Sequence, residues 1–295
     1  MCCWQSRPHA RPETLPVKIV IEDLQADQLV ILNQEVPDVT LDLVLQDTSW
    51  DIDVDTHWLR GNLQLDRSGG DSRLQVAYMD ISQLSDFSFS EAGAEQGEST
   101  LDLPPVDVNL ENLYQSGERL GNLVFALHST DGVLRAKNIR GEIASLRFSD
   151  EEPAALTWHQ GEQGNTQFQA ALAFDDLGKT LEYFGYERIV ETRSGRFDVD
   201  LSWPGMPQEF SLLQGDGSIM VNIGRGSFLE APSGASGALR VVSILNLADI
   251  VQRLSLSHMF ESGIPFDSVT GEVYLHNGTV EVAKMDVQGG SSFQF

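Results

Sequence analysis

Asp51, Asp53 and Asp55 stand at alternate positions, and Asp198 with Asp200 repeats the spacing. Clustered carboxylates could hold a hard cation such as calcium, which takes oxygen ligands. On a strand, however, same-face neighbours lie about 7 Å apart, too far for three to share one ion, so a solvated face is the expected role. The histidines, His9, His57, His128, His159, His258 and His276, form neither a His-x-x-x-His pair nor a Cys/His cluster of metal-ligand spacing. Gly215-Asp216-Gly217 and Gly224-Arg225-Gly226 have the look of phosphate loops. Each is expected beside a strand that returns as a hairpin and opens no helix, which a phosphate cradle requires. No Gly-x-Ser-x-Gly elbow occurs. The sequence offers no convincing catalytic constellation, and a protein without enzyme activity, cofactor or metal is the expectation.

The elements that would carry any such residues are written as a two-residue alternation. Leu41-Asp42-Leu43-Val44-Leu45-Gln46 and Asp51-Ile52-Asp53-Val54-Asp55 show it early, Phe197-Asp198-Val199-Asp200-Leu201 and Val280-Glu281-Val282 late. Successive side chains on a strand point to opposite faces, so the pattern writes one apolar and one wet face. Strands are predicted from Val17 to Glu22, Thr40 to Gln46, Trp50 to Asp55, Gly61 to Leu65, Arg73 to Asp80 and Val106 to Leu110. More follow from Asn122 to His128, Val133 to Ile139, Gln167 to Phe174 and Arg196 to Trp203. The last are Glu209 to Leu213, Ser218 to Ile223, Gly271 to His276 and Thr279 to Ala283. Asn277-Gly278 between two such runs is a two-residue hairpin signal. Trp203-Pro204-Gly205-Met206-Pro207 reads as a rigid corner between a strand and the next one, expected at Phe210.

Two helical segments interrupt this meander. Residues 175–186 carry Leu177, Leu181 and Phe184 on one helical face behind an acidic cap, and residues 237–260 space apolar side chains amphipathically. Two short helices cover little of the apolar face presented by more than a dozen strands. At about 25 cal/mol per Å² of apolar surface, leaving that face in water is costly. A second sheet, a curl of the sheet on itself or a bound apolar ligand must close it. The expected fold is mainly β: a long curled antiparallel sheet forming a hydrophobic groove, with two short helical segments.

Composition narrows the partners. The 295 residues hold 19 Lys and Arg against 44 Asp and Glu, a net charge of −25. Such a chain repels phosphate backbones, which excludes nucleic acid, and offers no basic footprint for anionic headgroups. Cys2 and Cys3 are the only cysteines, so no disulfide framework is expected, and no apolar run precedes them as a lipoprotein signal requires. No window reaches the roughly 18 apolar residues of a membrane span. Residues 1–16 read as disordered or as a mis-assigned start, 17–84 as a first β part, 85–99 as a flexible acidic loop and 100–295 as a longer β region. Ser292-Phe293-Gln294-Phe295 stops inside an alternating run, so the chain reads as a piece of a longer protein.

One ordered series of residues goes further. Leu177-Gly178-Lys179-Thr180-Leu181, Phe184-Gly185-Tyr186, Ser194-Gly195 and Trp203-Pro204-Gly205-Met206-Pro207 are followed by Phe210-Ser211-Leu212 and Gly215-Asp216-Gly217-Ser218. Then come Gly226-Ser227-Phe228-Leu229, the run from Leu239 to Leu247, and Phe266-Asp267-Ser268-Val269-Thr270-Gly271. Over residues 177–290 this order resembles the C-terminal portion of the YhdP family, within the AsmA-like group of large Gram-negative envelope proteins. Ser49-Trp50 and Trp58-Leu59-Arg60-Gly61 fit the family's strand style earlier in the chain. The resemblance implies a periplasmic protein anchored in the inner membrane outside these residues. It implies passive movement of phospholipid between inner and outer membranes along a groove, supporting outer-membrane integrity.

On that view acyl chains lie against the apolar face. Its candidate residues are Leu41, Leu43, Leu45, Ile52, Val54, Val106, Val108, Leu110, Phe197, Val199 and Leu201, with residues 237–260 as a cap or plug. The competing expectation is a structural β-sandwich or solenoid for assembly, its apolar face closed by a second sheet.

Overall fold

The computed structural model describes residues 18–31, 34–86, 103–161, 164–211, 213–229, 264–276 and 278–289. Residues 1–16, nearly all of 85–99, 237–260 and the final run at 292–295 lie outside the described residues. The N-terminal strands are β1 (Ile19–Ile31), β2 (Gln34–Leu45), β3 (Ser49–Asp55), β4 (Leu59–Asp66) and β5 (Ser72–Asp80). The middle ones are β6 (Leu103–Gln115), β7 (Glu118–Thr130), β8 (Val133–Ile143), β9 (Leu146–Phe148), β10 (Ala154–His159) and β11 (Asn165–Phe174). After helix α1 (Leu177–Tyr183) come β12 (Val190–Thr192), β13 (Gly195–Pro204), β14 (Asp216–Ile223) and β15 (Gly226–Phe228). The last are β16 (Ile264–Phe266), β17 (Ser268–His276) and β18 (Thr279–Gln288).

Fifteen strands form one sheet in nearly sequential order, from β1 through β8, β10, β11, β13, β14 and β17 to β18. β9 lies off this path, paired with β8 and β11. The order follows from short turns that let each strand pair with the one just made. His276 faces Thr279 across the predicted Asn277-Gly278 hairpin. One pair breaks the meander: β5 and β6 run parallel, with Ser72 opposite Val106 and Leu74 opposite Val108. Among the described residues β1 and β18 are the free edges, so the sheet is open and not a barrel.

Adjacent strands rotate by roughly 20–25°, and open sheets seldom exceed about ten strands without curling. Bulges add to the curl. Register shifts between β1 and β2, β7 and β8, and β17 and β18 each contain a non-glycine residue at positive φ, namely Asp23, Asn138 and Lys284. Such bulges increase the local twist. The sheet is therefore a trough whose long axis crosses the strands. One lip is made of hairpin turns such as residues 46–48, 67–71 and 131–132; the other carries α1.

α1 is short because its ends are fixed. Asp176 accepts a hydrogen bond from Gly178 N at 3.0 Å, and the Thr192 hydroxyl accepts one from Leu177 N at 2.9 Å. Gly185 at φ +75 turns the chain out, with Tyr186 N donating to Leu181 O at 2.9 Å. Three strands too short to announce themselves, β12, β15 and β16, form a second sheet beside this helix.

The corner after β13 is rigid, but no strand follows at Phe210. Pro207 opens a 3-10 turn over Pro207–Glu209, and Met206 N donates to the Glu209 carboxylate at 2.7 Å. The Trp203 indole donates to Met206 O at 2.9 Å, and the Thr166 hydroxyl to Gly205 O at 2.9 Å. Within the expected strand Glu209 N donates to Met206 O at 3.0 Å, and Ser211 O accepts from Gln214 N and Gly215 N at 3.0 and 2.9 Å, so these groups close turns instead of a ladder, and the next strand begins at Asp216.

Three carboxylates that fix lip segments share a pH response. The Ser68 hydroxyl holds Asp66 below its ordinary value of 3.8, and the Ser82 hydroxyl does the same for Asp80 against the opposing pull of burial. Asp175 is lowered by the paired guanidinium bonds from Arg147, at 2.8 and 2.9 Å. A carboxylate depressed in the folded state binds protons first when unfolded. Its stabilisation is therefore complete above the ordinary value and disappears as pH falls through the lower folded one. Thermal unfolding followed by circular dichroism should fall in midpoint below about pH 4, and less steeply in an Asp175→Asn, Ser82→Ala double variant.

Candidate functional site

Residues directly opposite across a ladder share a face, so the register decides which side chains meet. One row reads Ile21, Leu43, Ile52, Leu63, Leu74, Val108 and Phe125 from β1 to β7. Beside it run Leu41, Val54, Gly61, Val76, Leu110 and Leu123. Toward the hairpin lip, Leu45 faces Trp50, and Trp50 faces Leu65. From β5 onward the row continues as Ser72, Val106, Leu127, Ala136, Leu156, Phe168 and Leu201. Val199 lies opposite Ala170 and Ile219, and Phe197 opposite Leu172 and Val221.

All eleven candidate residues thus occupy one face of one sheet, although they come from β2, β3, β6 and β13. The same rows take in Leu63, Leu74, Phe125 and Phe168, which the alternation marks equally well in the sequence. No charged side chain interrupts them. At roughly 4.8 Å between strands, the face extends about 60 Å along the trough from β1 to β18.

The opposite face carries the acids. Asp42 faces Asp53, and Asp200 faces Gln169 and Ser218. Like charges directly opposite repel, a cost that only a water-facing surface tolerates. Asp55 pairs with Arg60 at 2.9 Å and Asp51 accepts from the Asn62 amide at 2.7 Å. No group of three His, Cys, Asp or Glu positioned for a metal occurs among the described residues. His276 bonds to Asp216 at 2.6 Å, and His128 to the Thr130 hydroxyl at 2.8 Å; His9 and His258 lie outside the described residues. Gly215-Asp216-Gly217 leads into β14, and Gly224-Arg225-Gly226 forms the bend into β15.

Closure of the apolar face differs along the trough. Over β2 to β4 the side chains of Leu41, Leu43, Leu45, Trp50, Ile52, Val54, Leu63 and Leu65 are all half-buried, none fully. Each forgoes at most about 1 kcal/mol of burial, so an apolar occupant covering all eight would gain no more than about 8 kcal/mol. In the middle Val106 and Val108 are buried, with Leu110 half-open. At the far end Val269, Val273 and Leu275 of β17 are buried, Leu275 at 1% exposure. There Leu201, Trp203, Val221, Val273 and Leu275 make one apolar cluster of neighbouring strands.

The lips explain the difference. On the hairpin side the corner over residues 205–215 bends back, so that a β-carbon on Gly215 would lie 3.0 Å from Leu275 Cδ1 and 3.6 Å from the Phe210 ring. On the other side Leu177 and Leu181 of α1, Phe228 of β15, Ile223 and Val287 pack around buried Val190, Phe266 and Val269. Arg188 ties that lip together, bonding Asp176 at 2.6 Å and Glu191 at 3.3 Å. Sequence patterning misses this unit because three-residue strands are too short to alternate.

Among the described residues no helix is long and apolar enough to cross a membrane. A family model described as YhdP protein matches residues 5–292. No curated protein and no solved structure matches the chain. An open sheet of 15 strands with one uncharged apolar face, and a family match over nearly its whole length, give one identity: the chain belongs to the YhdP family, envelope proteins of the AsmA-like group.

Proposed function

We propose that this chain is a non-enzymatic, lipid-conducting part of a periplasmic protein attached to the inner membrane through an anchor outside these residues. Phospholipid would pass between inner and outer membranes with its acyl chains on the apolar face and its headgroup at the lips. The observation that carries this reading is the floor over β2 to β4, uncharged across every strand and still half-open.

The backbone of the floor adds to it. Interior strands spend their N–H and C=O groups on their neighbours, so the floor offers no bond to a polar occupant. An acyl chain asks for none. A structural sandwich would need a second sheet over the floor. The second sheet among the described residues has three short strands and belongs to the α1 lip.

Native mass spectrometry of the purified chain is the test. Phospholipid is expected to leave with the folded protein, and a folded, lipid-free chain would refute the proposal.

A further inference from the structure

We infer that the trough within this chain is end-stopped: acyl chains occupy the floor over β2 to β4, and the β14 to β17 end is closed to them by the chain's own lips. The inference rests on the lipid-conducting reading and adds where along the sheet the lipid lies.

Three observations point the same way. Leu43 and Ile52 face each other on the open floor, flanked among the described residues by the turns at 46–48 and 56–58, the second of which carries Trp58, buried with Val36 and Val39 beside Val54. Val273, on the same face further along, is 5% exposed, and the corner over 205–215 and α1 with β15 stand on its two sides. Trp50 and Trp203 also differ. Trp50 on the open floor is half-buried, with the Arg67 guanidinium 5.0 Å from its ring centroid. Trp203 at the closed end is buried, its indole N–H given to Met206 O and its ring edge-on to Phe210 at 5.1 Å. Arg67 stands over the Trp50 ring and leaves the rest of it partly open to a chain along the floor, whereas every side of Trp203 is taken by protein. The occupant is apolar because the rows of the floor carry no charged side chain, Arg67 reaching Trp50 from the 67–71 hairpin, while acids such as Asp42 and Asp53 of this −25 chain lie on the outer face.

The experiment reads contact at both ends of the intact chain. A small aliphatic diazirine residue is placed at Ile52 or at Val273. The protein is incubated with vesicles of phosphatidylethanolamine and phosphatidylglycerol, irradiated, and analysed for lipid adducts by mass spectrometry. Adducts at Ile52 at least tenfold above Val273 are expected. Because Val273 is buried, a second measurement avoids altering it. Single-tryptophan variants retaining Trp50 or Trp203 are titrated with phospholipid brominated on its acyl chains, and quenching is expected at Trp50 alone. Equal adducts, or equal quenching, at the two ends would overturn the end-stop and leave the lipid-conducting reading standing. Contact at neither end overturns both.

Discussion

Replacing Leu275 by aspartate is expected to unfold the C-terminal strands, whereas the same replacement at Ile52 leaves the sheet folded and empties it of lipid. Leu275 faces Gly217 on one side and Val280 on the other, and is 1% exposed. A carboxylate there meets no cation, since the rows of this face carry none. An unpaired buried charge costs several kcal/mol even after relaxation, a large share of the roughly 5–15 kcal/mol that holds a domain together. At Ile52 the side chain is partly exposed and not sealed, so its carboxylate keeps water within reach, and the loss is on the order of 1–2 kcal/mol of apolar burial. Function suffers more, because a fixed charge then lies in the path of the acyl chains.

Urea unfolding of both variants, with native mass spectrometry of Ile52→Asp, reads the two effects separately. Should Ile52→Asp cost as much as Leu275→Asp, the floor over β2 to β4 would be closed by protein, and the sandwich would regain its standing.

Alternation made the strands of this sheet legible because each buries one face only; Leu41-Asp42-Leu43 and Phe197-Asp198-Val199 announce both the strand and the face that turns inward. The same pattern serves a sandwich and a trough equally, and register separates them. Leu43 belongs with Ile52, Leu74, Val108 and Phe125 through a chain of pairings that includes one parallel step between β5 and β6. That step depends on a crossover, which periodicity does not encode. β1 runs past its predicted end at Glu22 because Asp23 forms a bulge at φ +52 and accommodates the extra residue.

The closed end was the least visible. Its determinants are three-residue strands, a proline-opened turn and a helix of seven residues, each specified by contacts remote in sequence. Phe174 shows why: it is buried by Gly195 and by the Phe197 ring at 4.7 Å, and no local pattern links the three.

The curl of the trough rests on glycines of the apolar face, and substituting them tests it. Gly141 lies opposite Leu123 at φ +114, and Gly217 between Leu201 and Leu275 at φ +131. A β-carbon at Gly141 would come within 2.3 Å of Asn122 O, and one at Gly217 within 2.1 Å of Asp200 O. Those oxygens belong to the neighbouring strand's backbone, so relief requires the strands to part and the sheet to flatten. Gly117 at φ +84 supplies the comparison, since nothing lies within 4 Å of its β-position. Alanine at Gly117 should cost only the left-handed backbone penalty, about 1–2 kcal/mol. At Gly141 or Gly217 the clash adds to that strain, and a total above roughly 3 kcal/mol is expected. Hydrogen exchange should quicken in β7 and β8 for Gly141→Ala, and in β13 and β14 for Gly217→Ala, ahead of global unfolding. Equal losses at all three glycines would mean that backbone handedness alone matters there. A larger loss at the two floor positions shows the concave face held too close for any side chain, which keeps the lips near enough for the corner and α1 to close one end.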